Sequence, residues 1–228
     1  MCTTPVLAAG VGARAGRVLK LRGELRSASF RLDAPMSGTA ALGILFSERH
    51  HDAATTLVDL LAGLARPTYG ELRVLGEDLT TARGRAAVRG KVGVARRLAR
   101  PQPAFRVRGL VEHAARLARL PSRDRDPLAA AIIDRLALTP WADVPLRAAP
   151  DAVGRRARLA AATVHQPDLL LIDGLLDDLC PAEASALADA IRDLGRDTSV
   201  VATGCDPAAL ALACGEVLTM ADGILVRA

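Results

Sequence analysis

Behind Thr55 and Thr56, Leu57, Leu60, Leu61 and Leu64 recur at helical spacing, which predicts a helix opened by the two threonines with one apolar face. Pro67 and Gly70 stop that helix and turn the chain. Leu72 and Val74 then alternate with Glu71 and Arg73, the period of a strand with one buried face. Upstream, Ala28, Phe30 and Leu32 alternate with Ser29 and Arg31, which predicts a strand over residues 27–32, after a shorter one at 18–21. Residues 40–46 are apolar throughout and suit a strand of a parallel sheet covered on both faces, feeding a loop over 47–54.

Residues 82–88 read as a short helix, and 91–95 (KVGVA) as a strand. The stretch 98–163 reads as helical. Val107, Leu110, Val111, Ala114 and Leu117 mark one helix ahead of a Leu120-Pro121 stop, and residues 128–138 mark another. Residues 169–172 form a buried strand closed by Asp173, 199–203 form a further one, and 217–226 a hairpin around Asp222-Gly223. Strands alternating with helices predict an α/β fold with a parallel sheet. A chain of 228 residues fits one domain with a substantial core.

Three blocks of this pattern resemble the nucleotide-binding domain of the ABC (ATP-binding cassette) transporter family: TTLVDLLAGLARPTYGELRVLGEDL at 55–79, LAAATVHQPDLLLID at 159–173, and the strand and hairpin of 199–226. Ser29-Phe30-Arg31-Leu32 is similar to an element that ends the family's first sheet. Arg106-Val107-Arg108-Gly109 and Ala118-Arg119-Leu120-Pro121 partly match its helical lobe. The resemblance implies a P-loop NTPase-like core with a parallel sheet, an N-terminal antiparallel β lobe and a helical lobe. Residues 1–228 would be a single domain, with 1–96 and 164–228 as core and 97–163 as helical lobe.

The chemistry the resemblance implies is largely missing from its expected positions. A phosphate loop works because small residues let backbone N–H groups point at phosphate, a lysine adds positive charge, and a Ser or Thr holds Mg²⁺. Here the pattern falls on residues 48–55, with Glu48, His51 and Ala53 at the glycines, Ala54 at the lysine and Thr55 at the hydroxyl. No lysine lies between Lys20 and Lys91. Glu48 and Asp52 would set negative charge beside a polyanion, and at about 4 Å like charges repel by roughly 1 to 4 kcal/mol. Thr55 and Thr56 therefore read as helix-start residues.

Asp173 stands where the family holds Mg²⁺ through water, but the catalytic glutamate that should follow is Gly174, which cannot act as a general base. Asp177 and Asp178 read as a solvated turn, and Cys180 replaces the aspartate that ends this loop in the family. The signature motif, whose glycine N–H groups and helix start grip a γ-phosphate, falls on Ala149, Pro150, Asp151, Ala152 and Val153. Gly204 stands for the switch histidine, Arg97 for the glutamine after the strand at 91–95, and no aromatic lies between Met1 and Ser29 to stack on adenine. The resemblance thus leaves Thr55, Thr56 and Asp173 as vestigial nucleotide and Mg²⁺ positions, with no catalytic residue.

Composition changes this picture little. Half the residues are hydrophobic, yet there are one Trp, one Tyr and three Phe, so the core must be Leu, Val, Ile and Ala. Basic residues outnumber acidic ones 30 to 25, but the arginines are spread along the chain beside acids, which argues against nucleic acid as a partner. Cys2, Cys180, Cys205 and Cys214 have no metal-type spacing, and a reduced, cytoplasmic setting is the default. His50-His51-Asp52 offers adjacent ligands, which seldom converge on one ion, so no metal site is expected. His165 matches a structural position near a helix end, and His113 is expected on a helix surface. The N-terminus lacks a basic region followed by an apolar core, so no secretion signal is expected.

The leading expectation is a degenerate ABC transporter ATP-binding subunit with hydrolysis lost, a structural or regulatory partner of a membrane transporter. It would work with a polytopic membrane permease, a second ABC ATPase subunit, or both, as a homodimer or heterodimer in the cytoplasm or peripherally at the inner face of the plasma membrane. No cofactor is expected on this reading. The alternative is a functional ATP-binding protein coupling ATP and Mg²⁺ to transport. An apolar strand ending in Asp also fits many unrelated α/β enzymes, but the LAGLARPTYGEL block argues against one.

Overall fold

The computed structural model describes residues 6–13, 25–32, 41–47, 51–97, 105–221 and 224–227. Its strands are β1 (Val6–Ala13), β2 (Leu25–Leu32), β3 (Ala41–Phe46), β4 (Tyr69–Val74), β5 (Glu77–Asp78), β6 (Val92–Arg96), β7 (Leu169–Asp173), β8 (Ser199–Gly204), β9 (Glu216–Ala221) and β10 (Ile224–Arg227). Its helices are α1 (His51–Leu61), α2 (Ala82–Val88), α3 (Val107–Leu117), α4 (Ser122–Arg135), α5 (Asp151–Thr163), α6 (Pro181–Leu194) and α7 (Pro207–Ala213). The strands run in the order β5-β4-β1-β2-β10-β9-β3-β8-β7-β6. The half from β3 to β6 is parallel, while β1 pairs antiparallel with β2 and β4. This is the predicted α/β, P-loop NTPase-like fold with an antiparallel β element. The helices α3, α4 and α5 lie between β6 and β7 in sequence, within the segment expected as a lobe.

The apolar runs are buried on both faces because each face meets a different layer. Leu169 and Leu171 of β7 pack with Leu57, Leu60 and Leu61 of α1, whereas Leu170 and Ile172 pack with Leu187 and Ile191 of α6 and Ala157 and Ala160 of α5. Side chains alternate across a strand, so one Leu-rich run serves two cores. At Gly93 in β6 the packing leaves no room for a side chain, since a Cβ there would lie 2.1 Å from the Ala162 carbonyl oxygen.

Several elements differ from their predicted form. Helix α1 begins at His51, so Thr55 and Thr56 sit in its second turn and do not open it. It ends at Leu61, because Gly63 turns left-handed (φ 67°) while its N–H bonds Leu60 O and the Leu64 N–H bonds Asp59 O. Leu64 therefore leaves the apolar face and is exposed. Helix α4 starts at Ser122, ahead of the apolar run, because its first turns are polar. β1, β5, α6 and α7 lie outside the predicted elements. The strand expected at 18–21 and the Asp222-Gly223 turn lie outside the described residues.

Candidate functional site

The carboxyl ends of the parallel strands are where an open α/β sheet presents its ligand crevice. Here β3 ends at Phe46, β6 at Arg96, β7 at Asp173 and β8 at Gly204, with α1 rising beside them. Glu48, Arg49 and His50, at the expected phosphate loop, lie outside the described residues. Ala54, at the lysine position, is fully buried on the core-facing side of α1.

Asp173 is 5% exposed at the end of its strand. Its Oδ1 accepts the Thr203 hydroxyl at 3.1 Å and its Oδ2 accepts the Thr55 hydroxyl at 3.2 Å. Two of the predicted site residues thus meet, although 118 positions separate them. The third does not join them: Thr56 is buried and its hydroxyl donates to the Asp52 carbonyl one turn back, at 2.8 Å.

Arg96 adds a charge that sequence reading missed. It stands directly opposite Asp173 in the β6–β7 register. Its Nε lies 4.0 Å from Asp173 Oδ2, and its guanidinium donates to Asp59 Oδ1. Thr55 and Asp59 are four residues apart on α1, so one helix face delivers both groups to this point. Arg97, at the expected glutamine position, donates its N–H to the Asp173 carbonyl at 2.9 Å and pairs with exposed Asp178 at 2.6 Å.

The loop after β7 departs from the predicted solvated turn. Asp178 is exposed, but Asp177 is 5% exposed and turned inward. Its Oδ1 accepts the Cys205 N–H at 2.7 Å, and its Oδ2 lies 3.4 Å from the Cys205 thiol. A Cβ at Gly204 would lie 2.9 Å from Oδ1, and one at left-handed Gly174 3.2 Å from Oδ2. The Asp177 carboxylate therefore fills the space that side chains at the glutamate and histidine positions would enter. A buried inward acid needs donors, and the N–H at the end of β8 supplies one.

Arg155 clamps the same loop from below. It is 2% exposed, and donates to the carbonyls of Leu175, at 2.8 Å, and Asp177, while pairing with Asp151 at 2.6 Å. Asp151 opens α5, with Pro150 as its N-cap. The helix start expected to grip phosphate thus carries a carboxylate, and its cap has no N–H to give.

Burial lowers the basicity of His165, partly opposed by a backbone hydrogen bond at Val92, and pushes the Cys214 thiol up to about 12. His113 is half-buried with its ring centroid 5.1 Å from that of Phe105, which brings it closer to the core than expected. A cleft of about 300 Å³ lies at the opposite end of the strands, beside Gln166, Asp168 and Thr198. Its Arg135 is held by Asp193 and Asp197, each at 2.7 Å. No helix among the described residues is long and apolar enough to cross a membrane.

Thr55 and Asp173, the two oxygen groups at the expected Mg²⁺ position, bond each other, and the Arg96 guanidinium faces the carboxylate.

The family model described as ABC transporter matches residues 54–176. The chain is 29% identical over 144 residues to the methionine import ATP-binding protein MetN 2 of Burkholderia mallei, covering 62% of this chain and 36% of that protein. It is 30% identical over 183 residues to the molybdenum import ATP-binding protein ModC of Paramagnetospirillum magneticum, covering 77% of this chain and 48% of that protein. These matches thus span between a third and a half of the relatives' length. The fold matches cbiO1 from Clostridium perfringens, part of the ABC transporter complex cbiONQ, with a TM-score of 0.79 at 15% identity, covering 98% of this chain and 87% of that one.

Proposed function

The chain belongs to the ABC transporter family, and from that premise we propose that it is an ATP-binding-cassette subunit that has kept the fold and lost ATP hydrolysis. It serves as a structural or regulatory partner of a membrane transporter. One observation carries this reading: the position after Asp173 is a left-handed glycine, and the buried Asp177 carboxylate occupies the space beside it. A general base needs a reachable proton and a carboxylate open to water. Asp177, 5% exposed and bonded to the Cys205 N–H, offers neither.

The family's sites are completed between two subunits. The acidic start of α5 makes this chain a poor donor to a partner's site, and Ala54 makes it a poor acceptor in its own. The partners on this reading are a polytopic membrane permease, a second ATPase subunit of the family, or both, in a homodimer or heterodimer. Its place is cytoplasmic, peripheral to the inner face of the plasma membrane, and nucleic acid is not a partner.

The second reading, a working ATP-binding subunit, draws on the Thr55–Asp173 pair, which remains assembled. The two are separated by phosphate release with Mg²⁺ and ATP, together with ATP titration by calorimetry. The expected results are no turnover above a protein-free blank and no heat at millimolar ATP. Turnover that Asp173→Asn abolishes overturns the proposal and establishes the second reading.

A further inference from the structure

Among the described residues, Arg96 is a cation at the carboxylate cluster that the resemblance did not account for. Two acids reach its guanidinium from different elements: Asp59 from α1 and Asp173 from the end of β7. Thr55, one turn before Asp59, closes the group by donating to the same Asp173 oxygen that faces Arg96 Nε. The side chains of Arg96 and Asp59 are 29% and 26% exposed, while that of Asp173 is 5% exposed.

Two carboxylates and a hydroxyl at a strand end form a hard oxygen set of the kind that suits Mg²⁺ or Mn²⁺. Such acids, drawn together and partly desolvated, need positive charge between them. In this chain that charge is covalently attached. The β6–β7 register places residue 96 opposite residue 173, so a long basic side chain there reaches the carboxylate without any ligand being recruited. Arginine suits the role, since it stays charged when half-buried and its planar fork can serve two acids at once.

We propose that the Arg96 guanidinium takes the place of the divalent cation at the Thr55–Asp173 position, so that this site is closed and held without metal. The inference concerns the cation position alone. It is tested without nucleotide, so its failure and that of the hydrolysis reading are distinguishable.

The probe is Mn²⁺, added to the purified full chain and followed by its electron-spin resonance signal and by thermal melting. The wild type should neither take up Mn²⁺ nor change its melting temperature. Arg96→Gln removes the charge but keeps a polar side chain, and should take up one Mn²⁺. Its melting temperature should rise by about 3–6 °C at ten times the dissociation constant. Both effects should vanish in the Arg96→Gln, Asp173→Asn double variant.

Mn²⁺ uptake by the wild type that Asp173→Asn removes would overturn the proposal, because the site would then be open. A folded Arg96→Gln that ignores Mn²⁺ would also overturn it, leaving Arg96 as an ordinary ion pair. If Arg96→Gln does not fold in metal-free buffer, Mn²⁺ present during refolding should restore it, and failure to do so counts against the proposal.

Discussion

Replacing Arg155 with methionine tests the account of the loop that follows β7. The guanidinium donates to the carbonyls of Leu175 and Asp177, both in the buried turn between β7 and α6. Methionine keeps much of the length and apolar stem but donates nothing. Each buried carbonyl left without its donor costs about 1–3 kcal/mol. The Asp151 side chain is 66% exposed and becomes hydrated again, so losing that ion pair adds at most about 1 kcal/mol. No longer burying a guanidinium offsets part of the total. The net expectation is about 2–5 kcal/mol, which for a chain of this size lowers the melting temperature by about 5–20 °C. Urea denaturation gives the value by linear extrapolation, with an unchanged slope indicating that the folded state is intact. Asp151→Asn is the control and should cost no more than about 1 kcal/mol. A loss below about 1 kcal/mol for Arg155→Met, or an equal loss for Asp151→Asn, would refute the reasoning.

Two further outcomes follow from contacts around the same strand ends. Gly204→Ala sets a Cβ 2.9 Å from Asp177 Oδ1 and should destabilise the chain by about 1–3 kcal/mol; combining it with Asp177→Gly should cost less than the sum of the two, as a double-mutant cycle of denaturation midpoints would register. His165 is held below its ordinary value of 6.5 chiefly by burial. Above that value both states are neutral and its contribution is complete. As pH falls through the unfolded value the unfolded chain takes the proton first, so stability declines on the acid side. The urea midpoint should thus drop less between about pH 7.5 and 5.5 in His165→Gln than in the wild type, and identical pH profiles would contradict the burial argument.

The period of apolar residues was enough to place β3, β4, β6, β7 and β8, because burial on one face or two leaves a repeat of local origin. The same reading could have found α6, where Ala184, Leu187, Ala188, Ile191 and Leu194 recur at helical spacing. The residue types at the expected positions were equally legible: an alanine stands at the lysine position and a glycine follows Asp173. The end of α1 was misjudged because Leu64 fits the period, while the left-handed Gly63 that removes it from the helix is a backbone event.

The sequence by itself determined the α/β architecture and the family resemblance. Only the tertiary structure decided where the charges went. Arg96 meets Asp173 because a crossover of more than seventy residues brings β6 and β7 into one register, and Thr55 meets it because α1 packs on that sheet end. Asp177 looked like a surface acid until β8 placed an N–H and two flanking glycines left it room. Hydrophobic burial is non-directional and leaves its mark on neighbouring residues. A charged hydrogen bond needs a partner at a fixed distance and angle, and that partner's place is set by the packing of segments remote in the chain.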